Sequence, residues 1–253
     1  MNNLQEYKNF CRLLARKSGE IIRQYFRSEL KVEIKKDESP VTMADRKAEE
    51  VMRESIIKEF PDHGILGEEF GDHNKNAEFK WVLDPIDGTK SYISGAVTFG
   101  TLIALLRNGE PILGVINQPV LNEYLVGDND VTELNGTKVQ VRENKDLKDA
   151  VLLTTDHLAV HKFRDGDKFE KLIRMVRIYR QWGDCYGYYL LATGYADIMI
   201  DPIMSAWDSM ALIPIIRGAG GVITDYYGGD PAKGNSIIAA CSGLHSEVVK
   251  MLN

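Results

Sequence analysis

Residues 81–92 read WVLDPIDGTKSY, and this stretch carries more information than any other in the chain. The apolar run Trp81-Val82-Leu83 predicts a strand that delivers two carboxylates, Asp84 and Asp87, and then opens into Gly88-Thr89. A strand end fixes the carboxylates, and glycine lets the backbone turn so that its N–H groups face an anion. Two carboxylates three residues apart suit a hard, oxygen-seeking cation such as Mg²⁺. A lone DxxD describes a solvated acidic turn equally well. The Gly-Thr that follows moves the reading toward a metal and a phosphate held at one place.

Upstream, apolar positions at Leu4, Tyr7, Phe10, Cys11, Leu14, Ile21, Ile22, Tyr25 and Phe26 predict an amphipathic helix over 3–28, weakest at Gly19. An extended polar piece, VEIKKDESPVT, leads to a second helix over 44–60 with Pro61 beyond it. GILGEEFG reads as a short strand and turn. Downstream of Lys80 the pattern is β: strands over 81–83, 99–106, 112–117 and 123–126, with Asn108-Gly109 as a hairpin turn. The polar stretch 128–149, with a turn at Asn135-Gly136, is a candidate boundary between an N-terminal α+β half, 1–145, and a C-terminal α/β half, 146–253. In the second half, strands are expected over 151–154, 198–200, 222–224 and 237–240. Helices are expected over 168–176, 209–217 and 246–251, and 186–193 continues the α/β alternation. The layout is that of a mixed α/β protein of stacked helix and sheet layers.

Composition narrows the function. With 253 residues and 44% hydrophobic content, the chain can bury a sizeable core. A net charge of −6 argues against a nucleic-acid partner, because phosphate backbones are bound by basic surfaces. No apolar run approaches the ~20 residues that span a bilayer, so no membrane partner is expected. The opening MNNLQEYKNF has neither the basic nor the apolar region of a secretory signal. Cys11, Cys185 and Cys241 are widely spaced and odd in number, which fits a reducing compartment. A cytoplasmic location is expected.

Further acidic residues compete between local and chemical roles. Glu68-Glu69 is a surface pair or a source of ligands. Asp208, in AWDSMAL, is a helix N-cap or a ligand. Thr42 and Asp45 match an acidic capping box; alternatively, Asp45 accepts a proton from Thr89, whose hydroxyl would relay between it and a water. The histidines, His63, His73, His157, His161 and His245, show no ligand spacing and are expected on the surface. Lys35, Lys36 and Lys90 are phosphate contacts or solvated charges. Trp182, Tyr186, Tyr188 and Tyr189 border a ring-shaped substrate or pack the core.

Four segments, SPVTMAD at 39–45, GEE at 67–69, DPIDGTKSY at 84–92 and WDSMAL…GAGGVITD at 207–225, together resemble the inositol monophosphatase superfamily. The resemblance implies a five-layer αβαβα sandwich of the inositol monophosphatase/fructose-1,6-bisphosphatase type, a homodimer, and Mg²⁺-dependent hydrolysis of a small phosphate ester without a covalent enzyme intermediate. It implies that Glu68, Asp84, the Ile86 carbonyl, Asp87 and Asp208 hold two or three Mg²⁺ ions. The amides of Gly88 and Thr89 would take the phosphate, and Asp45 with Thr89 would activate water, assisted by Glu68. Gly183, Asp184, Cys185 and Asp201 fall where the alcohol part of the substrate would lie.

SPVTMADRKAE, YISGAVTFGTLIALLRNGEPILGVINQPVLNEYLVG and GDCYGYYLLATGYADIMIDP further resemble histidinol-phosphate phosphatases of this type. That likeness would place the chain in histidine biosynthesis, with Asp184 favouring an amine substrate. An inositol monophosphatase, a broad-specificity phosphatase, and a non-catalytic metal- or phosphoester-binding regulator are the alternatives. Every matched catalytic position holds a competent residue, which argues against the last.

Overall fold

A computed structural model describes residues 4–28, 32–34 and 40–253. In chain order its elements are α1 (Leu4–Tyr25), β1 (Val32–Ile34), β2 (Pro40–Thr42), α2 (Met43–Glu59), β3 (Gly64–Gly67), β4 (Gly71–His73), β5 (Phe79–Asp87) and α3 (Thr89–Ile93). There follow β6 (Gly100–Arg107), β7 (Glu110–Gln118), β8 (Glu123–Gly127), β9 (Thr132–Leu134), β10 (Thr137–Val139), β11 (Val151–Thr154), α4 (His157–Phe163), α5 (Gly166–Ile173) and β12 (Ile178–Arg180). The chain closes with α6 (Asp184–Ala192), β13 (Ile198–Asp201), α7 (Ala206–Ser209), α8 (Leu212–Gly218), β14 (Val222–Thr224), β15 (Ile237–Ala240) and α9 (His245–Leu252).

Among the described residues β1 and β2 form a small antiparallel pair, and two larger sheets organise the rest. The first has eight strands in the order β10-β9-β8-β7-β6-β5-β3-β4, and the second has five in the order β12-β11-β13-β15-β14. β6 is GTLIALLR, buried along almost its whole length. Such a continuous apolar run marks a strand covered on both faces. Helices α1 and α2 cover one face through Tyr7, Phe10, Leu14, Met52 and Ile56, packed on Trp81, Leu83, Ile103 and Leu105. Helices α6 and α8 cover the other and also reach the second sheet. Val82, Leu102 and Leu125 therefore share one core with Leu153, Met199, Leu212 and Ile215. The outer face of the second sheet packs Ile198, Ile200 and Ile238 against Phe169, Leu172 and Val248 of α5 and α9. The sequence is helix, sheet, helix, sheet, helix: the expected αβαβα sandwich.

The strands of the first sheet end at Val139, and those of the second begin at Val151. Asn108-Gly109 and Asn135-Gly136 take the positive φ angles of tight hairpin turns. The helix expected over 209–217 is instead two short ones. Pro214 lacks the N–H that would bond to residue 210 and crowds that carbonyl, so α7 ends and α8 restarts just before it. Sequence reading also passed over β9, β10, β12 and α4, each short.

The surface assignment of the histidines needs correction. His245 is buried, its Nε2 lying 3.0 Å from Thr224 Oγ1. His63 accepts from Trp81 Nε1 at 3.1 Å and stacks on Phe60. His157 is half-buried between Tyr179 and Glu170. The three cysteines are free and buried. Among the described residues, no helix is long and apolar enough to cross a membrane.

Candidate active site

The arrangement begins with an irregularity in β5. Asp84 pairs with Leu102 and Asp87 with Gly100, so three steps along β5 face only two along β6. In a regular strand, residues three apart point to opposite faces. The extra residue of the bulge restores them to one face. Pro85 sits in this bulge, where its missing N–H costs no ladder bond, and its carbonyl accepts from Thr101 Oγ1 at 2.9 Å. Asp84, Asp87 and Asp208 consequently bring ligand oxygens within 4.8 Å of one another.

Asp208 arrives from the other half of the chain, at the third position of α7. Its Oδ2 accepts from the Ser205 amide at 2.7 Å in a capping box. Glu68 lies in the turn after β3, its amide bonded to the Leu83 carbonyl at 3.2 Å. A residue not singled out from sequence, Glu49, builds that turn. It is fully buried on α2, accepts from the amides of Glu69 (2.8 Å) and Phe70 (3.2 Å), and pairs with Arg53 at 3.1 Å.

At Asp84, Asp87 and Asp208 the balance is unfavourable to anions. Burial pushes Asp84 well above the usual carboxylate range, reinforced by Glu68, Asp87, Asp208 and Asp45. Burial raises Asp87 likewise, with Asp184 and Asp208 adding to it. Asp208 is pushed up to about 6, first by burial. The buried Oδ1 atoms of Asp84 and Asp45 have no hydrogen-bond donor. Buried carboxylate oxygens without donors, converging from several elements, fit a site for divalent cations.

Asp45 and Thr89 approach the same region by different routes. The Thr42–Asp45 capping box is present: Asp45 Oδ2 accepts from the Thr42 amide (2.8 Å) and from its hydroxyl. Thr89 Oγ1 donates to the Ile86 carbonyl at 3.1 Å, and no hydrogen bond joins it to Asp45. Both roles considered for Asp45 remain compatible, because the cap uses one oxygen and leaves the other free.

Beside the cluster lies a cavity of about 830 Å³. Gly88, Thr89, Lys90, Gly183, Asp184 and Asp208 are among its lining residues. Gly88 has φ +86°, and a Cβ there would come within 2.9 Å of Asp184 Oδ2. Asp184, itself at φ +51°, donates its amide to Thr155 Oγ1 at 2.8 Å; burial raises its carboxyl to about 6. The Cys185 amide donates to Asp87 Oδ2, tying α6 to the bulged strand. Cys185 and Asp201 are buried and do not line the cavity. Asp201 accepts from the Thr155 amide (3.2 Å) and the Tyr188 hydroxyl (2.9 Å), and burial raises it to about 7.

The aromatic group near residue 185 also stands clear of the cavity. Tyr188 and Tyr189 are buried, Tyr186 stacks on Tyr189, and Trp182 is 47% exposed. Lys90 lines the cavity, whereas Lys35 and Lys36 lie outside the described residues. Ser91, Thr98, Thr155, Asp156, Ser205 and Asn235 complete a polar wall that was not foreseen. Asp156 alone left a signal, as an aspartate preceding a helix; its Oδ1 caps α4 through the Leu158 amide.

The family model described as the inositol monophosphatase family matches residues 3–253. The chain belongs to the inositol monophosphatase family. It is therefore a family phosphatase. An Arabidopsis thaliana protein named bifunctional phosphatase IMPL2, chloroplastic, is 47% identical over 220 residues, covering 85% of this chain; the chain spans 63% of that protein's length. A histidinol-phosphatase of Chlorobaculum parvum is 41% identical over 217 residues, covering 85% of this chain and 84% of that protein. A solved inositol monophosphatase from Zymomonas mobilis superposes with a TM-score of 0.89 at 37% identity, covering 100% of this chain and 99% of that one.

Proposed function

We propose that this chain hydrolyses L-histidinol phosphate to L-histidinol and phosphate. The observation that supports this reading is the charge of the cavity wall. Apart from Asp208, which is assigned to the cations, Asp156 and Asp184 face it, and Lys90 is the one cationic side chain among the described lining residues. An alcohol bearing an ammonium group would be welcomed by such a wall. At neutral pH a carboxyl near 6, as at Asp184, is mostly ionised.

Glu68, Asp84, the Ile86 carbonyl, Asp87 and Asp208 would hold two or three divalent ions, Mg²⁺ by the all-oxygen donor set. When bound, those ions supply Lewis-acid activation of water and neutralise the phosphate. The chain's own groups do the rest. Turning the Thr89 hydroxyl away from the Ile86 carbonyl frees it for the donor-less Oδ1 of Asp45. Thr89 then passes its proton to Asp45 as it takes one from the attacking water. Burial, which raises Asp45, makes it a better acceptor near neutral pH. The water oxygen bonds to phosphorus, the P–O ester bond breaks, and the leaving alkoxide takes up a proton. The amides of Gly88 and Thr89, opening α3, hold the phosphate oxygens, while Gly183 and Asp184 place the alcohol part and the buried Cys185 acts behind them through its amide on Asp87. Asp201 supports that wall from behind, through Thr155.

A second reading, hydrolysis of an inositol monophosphate, draws support from the hydroxyls of Ser91, Thr98 and Ser205 in the same wall, which suit a polyol. The two separate on kcat/KM for L-histidinol phosphate and myo-inositol 1-phosphate with Mg²⁺. A preference of about a hundredfold for the amine, roughly 2.7 kcal/mol of transition-state discrimination, is expected. Asp184→Asn should then raise KM for histidinol phosphate far more than for the neutral ester. A preference for the inositol ester, or equal KM effects, would overturn the first reading.

A further inference from the structure

Outside the cavity wall, three side chains of another chemical type converge. His157 and His161 are one turn apart on α4, and Glu170 faces them from α5. Their ligand atoms all lie within 4.8 Å of one another. We propose that His157, His161 and Glu170 form a site for a borderline divalent ion, Zn²⁺ in the first instance, separate from the all-oxygen cluster.

The geometry is close to what such an ion requires. A tetrahedral ion with bonds of about 2.0–2.2 Å has ligand–ligand edges of roughly 3.3–3.6 Å. His161 Nε2 stands 3.5 Å from Glu170 Oε1, already on that edge. His157 Nε2 stands 2.8 Å from the same oxygen, so binding would exchange a hydrogen bond for two metal bonds with a small opening. Glu170 divides its oxygens: Oε1 faces both imidazoles, and Oε2 lies 3.5 Å from Arg174.

The surroundings also prepare the ligands. His157 Nδ1 lies 2.7 Å from the Tyr179 hydroxyl. With its proton on Nδ1 and donated to that oxygen, His157 presents the Nε2 lone pair to a metal, an outer partner of the kind that fixes tautomer and ring orientation. His161 is seated by an absence: a Cβ on Gly166 would fall 2.0 Å from its Nδ1. Two imidazole nitrogens with one carboxylate prefer zinc over magnesium. Three protein ligands leave a fourth position for water.

The site lies next to the substrate wall in sequence, since Asp156 caps the same helix. It rests on no assignment of substrate. The experiment is equilibrium dialysis of the full chain against micromolar Zn²⁺ in excess Mg²⁺, with bound zinc counted by elemental analysis. Wild type should retain one zinc equivalent more than His161→Ala or Glu170→Gln, each variant binding at least tenfold more weakly. Phosphate release in Mg²⁺ alone should be unaltered in both variants, which keeps this test apart from the catalytic reading. In parallel, the side-chain ¹⁵N resonances of His157 and His161 should shift on adding zinc. Equal zinc uptake by all three proteins, or unmoved imidazole resonances, would overturn the proposal.

Discussion

The same local device occurs twice in this protein. Thr42-x-x-Asp45 opens α2 and Ser205-x-x-Asp208 opens α7, each a capping box in which the aspartate Oδ2 accepts the cap residue's amide. The two differ in depth. Asp45 is 1% exposed, also takes the Thr42 hydroxyl, and keeps an Oδ1 that meets no donor. Asp208 is only partly buried, takes a single amide, and lines the cavity within reach of Asp84 and Asp87. A cap therefore fixes where a carboxylate stands, and its surroundings decide what is left for the remaining oxygen; the proposed roles are to accept a proton at Asp45 and to bind a cation at Asp208.

The sharpest way to break this contrast is Asp45→Asn. The amide keeps an oxygen for the cap but accepts no proton, so kcat should fall by about 10²–10⁴-fold with Mg²⁺ dependence unchanged. If the Mg²⁺ requirement shifts and kcat holds, Asp45 is a ligand, the role proposed for Asp208. Asp208→Asn should do the reverse, weakening the Mg²⁺ half-saturation constant by about 10–100-fold, the scale on which support of a metal site is felt. Steady-state rates over a Mg²⁺ series read both.

Acidity tests the two environments together. Burial holds Asp184 and Asp208 at about 6 and Asp201 at about 7, above the ~3.9 of an unfolded aspartate. Each contributes stability that is complete below the unfolded value and lost as pH rises through the folded one. Metal-free Tm should therefore fall between about pH 4 and pH 7. Mg²⁺ fixed at 100 times its Kd at about pH 8 would restore about 2.7 kcal/mol there, and the same concentration would restore less at about pH 5, where the carboxylates are partly protonated and bind it more weakly. Scanning calorimetry with and without Mg²⁺ would reveal a flat profile if the cluster were already balanced by the protein.

The smallest effect separates cap from chemistry. Thr42→Ala should cost about 1 kcal/mol of stability, visible as a lower urea midpoint, with the Mg²⁺ half-saturation constant untouched. A loss of Mg²⁺ affinity instead would mean that the cap positions ligands as well as the base.

Much of this was legible before any coordinates. Trp81–Leu83 announced a strand, and DPIDGT with GEE and WDSMAL carried the resemblance to the family. What stayed hidden depended on partners distant in sequence. The β5 bulge exists only in register with β6, so Asp84 and Asp87 could not be assigned to one face from their spacing. Glu49 looked like any helix glutamate, because its role rests on amides about twenty positions away. Pro214 was visible, but the break it makes was not drawn from it. His245 was placed outside because its neighbours in sequence, Leu244 and Ser246, give no sign of the Thr224 hydroxyl that the fold brings to it.

The site draws Asp84 and Asp87 from one sheet and Asp208 from beyond most of the other. A ribosome-bound chain whose last exposed residue is Asp201 already owns β5 and its bulge, yet lacks α7. On the proposed ligand set, cation capture would be withheld until synthesis is nearly complete, making metal loading a marker of late assembly and keeping truncated products from sequestering ions.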